Sequence, residues 1–258
     1  MYKRLVLFGL FAILALSLAA STVWCAASAK SGGAAATAAT FSAADAKALK
    51  AGDTDAVKAV LVKLVKLNET KGKEALKPAV QPLIDAAWRE LRLPPEQQWN
   101  LVDIIKVIGL TGDPRTKPLL LHIMSAIRGG GNPYTAQGFI LMGATVVKDI
   151  ADSLQSNTPD TRGRAAQTLN KMAQFDKGGK FFSAQDRGLI KDRLVANLKD
   201  PNVNVRIYTV DALANFGDAS VIPALEQIEK KDAHKDSGGV YEVRVQATTT
   251  LKTLKAQK

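Results

Sequence analysis

Three arginines are the first residues whose spacing suggests chemistry. Arg162, Arg206 and Arg244 lie 44 and 38 residues apart. Each is followed by an apolar residue seven positions on (Leu169, Leu213, Leu251) and another ten positions on (Met172, Phe216, Leu254). Seven residues is about two helical turns, so each trio falls on one helix face. A guanidinium fork can take a carboxylate or a phosphate through two parallel hydrogen bonds. Two roles are open: the arginines line a basic binding surface, or they form a ladder with aspartates and helix-end carbonyls of neighbouring segments. Recurrence at one register position favours the ladder, because a binding site is more often unique to one segment.

The run Phe175-Asp176-Lys177-Gly178-Gly179-Lys180-Phe181-Phe182 is a second candidate. A Gly-Gly loop flanked by lysines and followed by two phenylalanines would present an apolar anchor to a partner. Alternatively, Phe181 and Phe182 fold back as a hydrophobic staple on the helix that Ser183 opens. The candidate partner-binding residues are therefore Phe181, Phe182, Lys177, Lys180, Arg162, Arg206 and Arg244.

Catalytic, metal and cofactor chemistry find no constellation. The histidines are His122 and His234, one beside a Leu-rich helical run and one in a Lys- and Asp-rich loop. The lone cysteine is Cys25, which excludes an internal disulfide and a cysteine-rich zinc site. The glycine run Arg128-Gly129-Gly130-Gly131-Asn132-Pro133 lacks the Gly-Lys-Ser/Thr of a phosphate loop, and it reads as a connection with Pro133 opening the next helix. We expect no catalytic, cofactor-binding or metal-ligating residues.

The elements that position these residues read as helices. Val57, Val60, Leu61 and Leu64 fall at helical spacing, as do Leu101, Ile104, Ile105 and Ile108, and then Ile190, Leu194 and Leu198. No stretch alternates with period two between turn pairs. Gly112-Asp113-Pro114 through Leu120 aligns without gaps with Gly217-Asp218-Ala219 through Leu225. In each, glycine is expected to end a helix in the left-handed conformation and aspartate to cap the next. Asp113-Pro114, Thr158-Pro159 and Asp200-Pro201 each place a capping residue before a proline at the first helical position. Ser183 to Asp186 reads as a capping box. The expected fold is all-α, a right-handed α-solenoid of about six antiparallel helix pairs: 43–67, 74–110, 114–144, 145–175, 183–216 and 219–255.

The run Asp200-Pro201-Asn202-Val203-Asn204-Val205-Arg206, followed by Asp211-Ala212-Leu213-Ala214-Asn215-Phe216-Gly217-Asp218, resembles the HEAT-repeat family, particularly its short bacterial-type, phycobilisome-lyase-like members. In that family's pattern Asp-Pro opens the second helix, Val-Arg sits in its first turn, and Ala-Leu leads to Gly-Asp. The resemblance is fullest over residues 183–258. It covers Trp99–Leu120 and Pro159–Phe175 in part, and it fades over Phe41–Leu91, where only the amphipathic pattern supports it. Leu101 stands at the arginine position of the earlier copy. The resemblance implies a HEAT/armadillo-like binding scaffold with no cofactor. The ligands of iron-binding HEAT-repeat hydroxylases are not matched, since no His-Glu pair occurs.

The N-terminus has the layout of a secretory signal peptide: Lys3 and Arg4, an apolar run from Leu5 to Ala20, then Ala27-Ser28-Ala29. Trp24 before Cys25 argues against lipidation. The expected organisation is a signal peptide over 1–29, a flexible Ala/Gly/Ser linker over 30–40 and a helical domain over 41–258. Cleavage after Ala29 would remove two lysine/arginine charges and no acidic residue, taking the formal net charge from +11 to +9. A retained N-terminal anchor is the other reading of that run. An exported, periplasmic or extracytoplasmic chain is not expected to meet nucleic acid, although it is basic and carries Trp88, Trp99 and Tyr134. The expected partner is a protein or peptide bound on the curved surface of the array. The alternatives are a lyase-like enzyme by fold analogy and a structural envelope component on anionic surfaces.

Overall fold

A computed structural model of the chain describes residues 40–126, 133–176 and 178–256. The expected signal peptide and all of the expected linker but Thr40 lie outside the described residues. Thr40–Lys258 forms one compact unit. The described residues are helical and contain no strand, and none of their helices is long and apolar enough to cross a membrane.

Twelve α-helices are described: α1 (Ala43–Ala51), α2 (Thr54–Lys71), α3 (Val80–Leu91), α4 (Leu101–Thr111), α5 (Lys117–Ala126), α6 (Pro133–Met142), α7 (Val147–Ser153), α8 (Pro159–Phe175), α9 (Ala184–Asn197), α10 (Val203–Phe216), α11 (Ile222–Lys231) and α12 (Glu242–Ala256). Short 3-10 turns join several of them. Consecutive helices pack as six pairs, α1 with α2 through to α11 with α12. The second members also pack on one another in order: α4 on α6, α6 on α8, α8 on α10 and α10 on α12. The second helices from α4 to α12 therefore pack in chain order, each also packed against the first helix of its own pair.

The core follows the sequence stripes. Val57, Val60, Leu61 and Leu64 are buried, as are Leu101, Ile104, Ile105 and Ile108, and Ile190, Leu194 and Leu198. The apolar partners of the three arginines, from Leu169 and Met172 to Leu251 and Leu254, are buried too. No helix could hide such a stripe alone, and stacking removes it from water. Between α4 and α6 the packing is so close that backbone meets backbone. A Cβ at Gly109 would lie 2.5 Å from the Gly138 carbonyl oxygen, and one at Gly138 would lie 2.8 Å from Ile105 Cγ2.

The helix ends depart from the sequence expectation in instructive ways. Gly112 is left-handed (φ 58°), but Gly217 has φ −77° and needs no such freedom. Glycine is required there for space, because a Cβ would stand 2.5 Å from the Leu213 carbonyl oxygen and 2.8 Å from Val221 Cγ2. Asp113 and Asp218 cap 3-10 turns (Pro114–Thr116 and Ala219–Val221) that lead into α5 and α11, rather than the α-helices themselves. Pro201 is not the first helical residue: Asn202 caps α10, accepting from the N–H groups of Asn204 and Val205. Asp200 is thereby freed from capping. Pro159 does open α8, Pro133 opens α6, and Ser183 forms the expected capping box with Asp186.

Candidate functional site

The three arginines form a ladder. Arg162 reaches from α8 to Asp200, just before α10: its Nε donates to Oδ2 at 2.7 Å and its Nη2 to Oδ1 at 3.0 Å. Arg206 repeats the fork one segment on, with Nε to Asp232 Oδ2 at 2.7 Å and Nη2 to Oδ1 at 3.2 Å. Each arginine also grips the backbone that precedes its own helix. Arg162 Nη1 donates to the Ser156 carbonyl at 2.8 Å, and Arg206 Nη1 to the Asp200 carbonyl at 2.8 Å. Arg244 Nε does the same to the Asp232 carbonyl at 2.6 Å. Asp200 and Asp232 are thus held twice, by the carboxylate from the preceding arginine and by the carbonyl from the following one.

The spacing explains the uneven repeat. The carbonyl lies six residues before Arg162 and before Arg206, but twelve before Arg244. The extra residues form the loop 233–241. In it the Asp236 carboxylate accepts from Val240 N–H, and Tyr241 lies beneath the guanidinium of Arg244 at 3.8 Å and the ammonium of Lys235 at 4.7 Å.

Burial pushes the Asp200 carboxyl up. The hydrogen bonds from Arg162 and the Asn202 N–H, with the charges of Arg162 and Arg206, outweigh it and hold the group below the usual carboxylate range. Asp232 is balanced likewise, burial against Arg206 and the His234 N–H, and also ends lowered. Both are nearly buried, and each arginine side chain is only 14% exposed. Guanidinium groups committed in this way hold the array in register and are not free to take a ligand.

The Phe181–Phe182 segment is not an exposed pair. Phe182 is buried and meets Phe216 edge-on at 5.0 Å, with the Arg187 guanidinium 5.5 Å from its ring centre. Phe181 is half-buried beside Gly143. The loop is tied from behind, since Asp176 Oδ1 accepts from the N–H groups of Lys180 and Phe181. Lys180 is exposed, and Lys177 lies outside the described residues. Among the described residues, Trp99 and Phe175 are exposed aromatic side chains, and both lie elsewhere. The structure therefore brings the arginines together with aspartates, and sets the Phe-Phe segment apart against α10.

His122 is exposed and packs its ring on Trp88 at 4.7 Å, while His234 is half-buried in the 233–241 loop. Among the described residues no group of three or more His, Cys, Asp or Glu could hold a metal ion. The glycines of the 128–132 run lie outside the described residues.

One polar cluster escaped the sequence reading. Asp211 on α10 is half-buried and accepts from Asn170 Nδ2 on α8 at 2.6 Å and from Gln246 Nε2 on α12 at 3.0 Å. Asn215 Nδ2 closes the set by donating to Asn170 Oδ1 at 2.6 Å. Burial pushes the Asp211 carboxyl up, against the charge of Lys171 and the Asn170 hydrogen bond. The signal was present in the sequence: Asn170 sits between Leu169 and Met172 at a position the helical stripe buries, where an unpaired amide would be costly.

No protein-family model matches the chain, and no curated protein does. Among solved structures, a crystal structure of an engineered protein is similar over 82% of this chain and 96% of its own, with 17% sequence identity and a TM-score of 0.41. Similarity at that level assigns neither a family nor a function.

Proposed function

We propose that this protein is an exported α-solenoid of HEAT-like repeats that acts as a binding scaffold for a protein or peptide. The observation that carries the reading is the ladder: the same guanidinium fork recurs on α8 and α10, each time gripping the aspartate ahead of the next segment's second helix. Repetition of that kind serves a stacked array, whose side-by-side second helices form a broad preformed surface. Such a surface binds with little ordering cost of its own. The right-handed, curved form of the array belongs to this proposal, as does the HEAT-like assignment. Export rests on the Lys3-Arg4 start, the Leu5–Ala20 run and the Ala27-Ser28-Ala29 site.

The test uses the mature chain, beginning at Lys30, as bait against envelope extract under chemical cross-linking. A saturable protein partner, competed away by untagged bait, is the expected result. Recovery of no partner together with turnover of a small substrate would overturn the scaffold reading. N-terminal sequencing of the chain recovered from the cell envelope tests export separately; a chain still starting at Met1 would count against cleavage.

A further inference from the structure

The arginine ladder has two open ends. Arg162 and Arg206 each fill their fork with an aspartate from the next turn between paired helices, Asp200 and Asp232. Arg244 stands at the same register position on α12, and no further second helix follows it among the described residues. Its Nε takes the Asp232 carbonyl and its guanidinium lies over Tyr241, but neither terminal nitrogen meets a carboxylate among the described residues. The exposed Lys235 places its ammonium over the same ring, at 4.7 Å. This end of the ladder offers a guanidinium fork without an anion.

The other end offers the converse. Asp53 lies in the turn between α1 and α2, and no second helix precedes that pair among the described residues. Its carboxylate is held as those of the two ladder aspartates are. Asp200 Oδ1 accepts from the Asn202 N–H at 2.9 Å, Asp232 Oδ1 from the His234 N–H at 3.0 Å, and Asp53 Oδ1 from the Ala56 N–H at 2.9 Å. In the first two, Oδ2 takes the arginine Nε at 2.7 Å. Asp53 is exposed, and its Oδ2 meets no cation among the described residues. Asp55, in the first turn of α2, is exposed beside it.

The two ends also complement one another in size. Gly163, the residue after Arg162, faces α10: a Cβ there would lie 3.2 Å from the Tyr208 ring and 3.8 Å from Val205 Cα. The residue after Arg244 is Val245, an apolar side chain left 58% exposed, where an array closed to further stacking would present a polar face. Val205 and Tyr208 are the third and sixth residues of α10, and the third and sixth residues of α2 are Ala56 and Ala59. Glycine meets tyrosine inside the array; valine would meet alanine across its ends.

We propose that this chain associates head to tail with a second copy of itself, Arg244 of one copy taking Asp53 of the next as a further rung of the ladder. The contact uses the charge-assisted pairing of the inner rungs. Val245 packs on the start of α2, with Lys235 adding positive charge at one end and Asp55 negative charge at the other. Two different patches meet, so the contact is heterologous and propagates beyond a dimer. The proposal goes beyond the scaffold reading and does not rest on it, since it needs only the ladder.

Sedimentation equilibrium of the full chain over a range of concentrations tests it. The weight-average mass should rise with concentration past that of a dimer. Arg244→Glu and Asp53→Lys each set like charges against one another, and each should weaken association about tenfold or more. An equimolar mixture of the two variants recreates the Arg244 to Asp53 contact between different chains, and the double variant Arg244→Glu/Asp53→Lys recreates it with the charges exchanged. Both should associate more tightly than either single variant. Circular dichroism melts confirm that each variant is folded. The single and double variants share the loss of the Asp53 cap, so recovery in the double is not an effect on folding. Every protein keeps the apolar Leu5–Ala20 run, so association through that run would not follow the charge pattern. A wild-type mass of one chain at all concentrations, unweakened association in either single variant, or no recovery in the mixture or the double would each overturn the proposal.

Discussion

At the scale of single residues, the arginine ladder is a set of buried ion pairs, and such pairs are most informative when one partner is removed. Arg206→Gln leaves Asp232, which is 9% exposed, without its guanidinium fork and also releases the Asp200 carbonyl. An uncompensated buried charge of this kind costs about 3 kcal/mol or more. Urea titration of Arg206→Gln should show that loss; a change under about 0.5 kcal/mol, the size of an ordinary surface substitution, would mean the fork does not hold the array. Asn170→Ala tests the other cluster. It removes a donor from Asp211 and the acceptor of Asn215, at an expected cost of about 1–3 kcal/mol, and it should push the Asp211 carboxyl still higher by NMR titration. The arginines were legible in the sequence because they recur. Asn170 carried a signal of its own, a polar residue on a buried stripe, but its partners Asp211 and Gln246 were not legible, because their positions in the repeat differ and only the packing of three helices brings them together.

Helix elements were legible wherever an apolar stripe and a terminal signal agreed. The stripes from Val57 to Leu64 and from Leu101 to Ile108 became buried faces of α2 and α4, and Ser183 became the cap of α9. Glycine was read less well, since one residue type answers two needs. Gly112 supplies a positive φ, whereas Gly217 supplies room beneath Val221 and Leu254. The two alanine variants separate these causes. Gly112→Ala meets only the flexible end of Lys73, so its cost is conformational, about 1–2 kcal/mol. Gly217→Ala must move the Leu213 carbonyl or the Val221 side chain, about 1–3 kcal/mol of overpacking. Val221 is itself buried, so trimming it to alanine opens a cavity in either background. The trimming should cost clearly less in Gly217→Ala, where it also relieves the clash, than in Gly112→Ala. Thermal melts of the four proteins decide it, and equal behaviour in both backgrounds would remove the distinction.

Across the whole molecule, the carboxylates set how the array responds to acid. Asp200 and Asp232 are held below the usual range within the ladder, and Asp218, held by Lys191 and by Ser220, is lowered to about 2. A carboxyl lowered in the folded chain adds stability that is complete above its unfolded value, about 3.9, and is lost as pH falls through the folded value. Asp211 has the opposite sign. Raised by burial, it takes its proton earlier in the folded chain, so it favours the folded state as pH falls and offsets the first part of the decline. Stability should therefore stay nearly level from neutral pH to about 5 and fall steeply below about 4, where added positive charge on an already basic chain works in the same direction. Against the burial that raises it, Arg206 is the main cause that lowers the Asp232 carboxyl, so the Arg206→Gln curve should start lower at neutral pH and fall less steeply in acid, the two curves drawing together as pH falls through the lowered Asp232 value. Urea midpoints measured against pH for both proteins test this. Parallel curves through the acid range would show that the ladder does not carry the acid response, and that it resides instead in the exposed pairs such as Lys191 with Asp218, which added salt should then weaken.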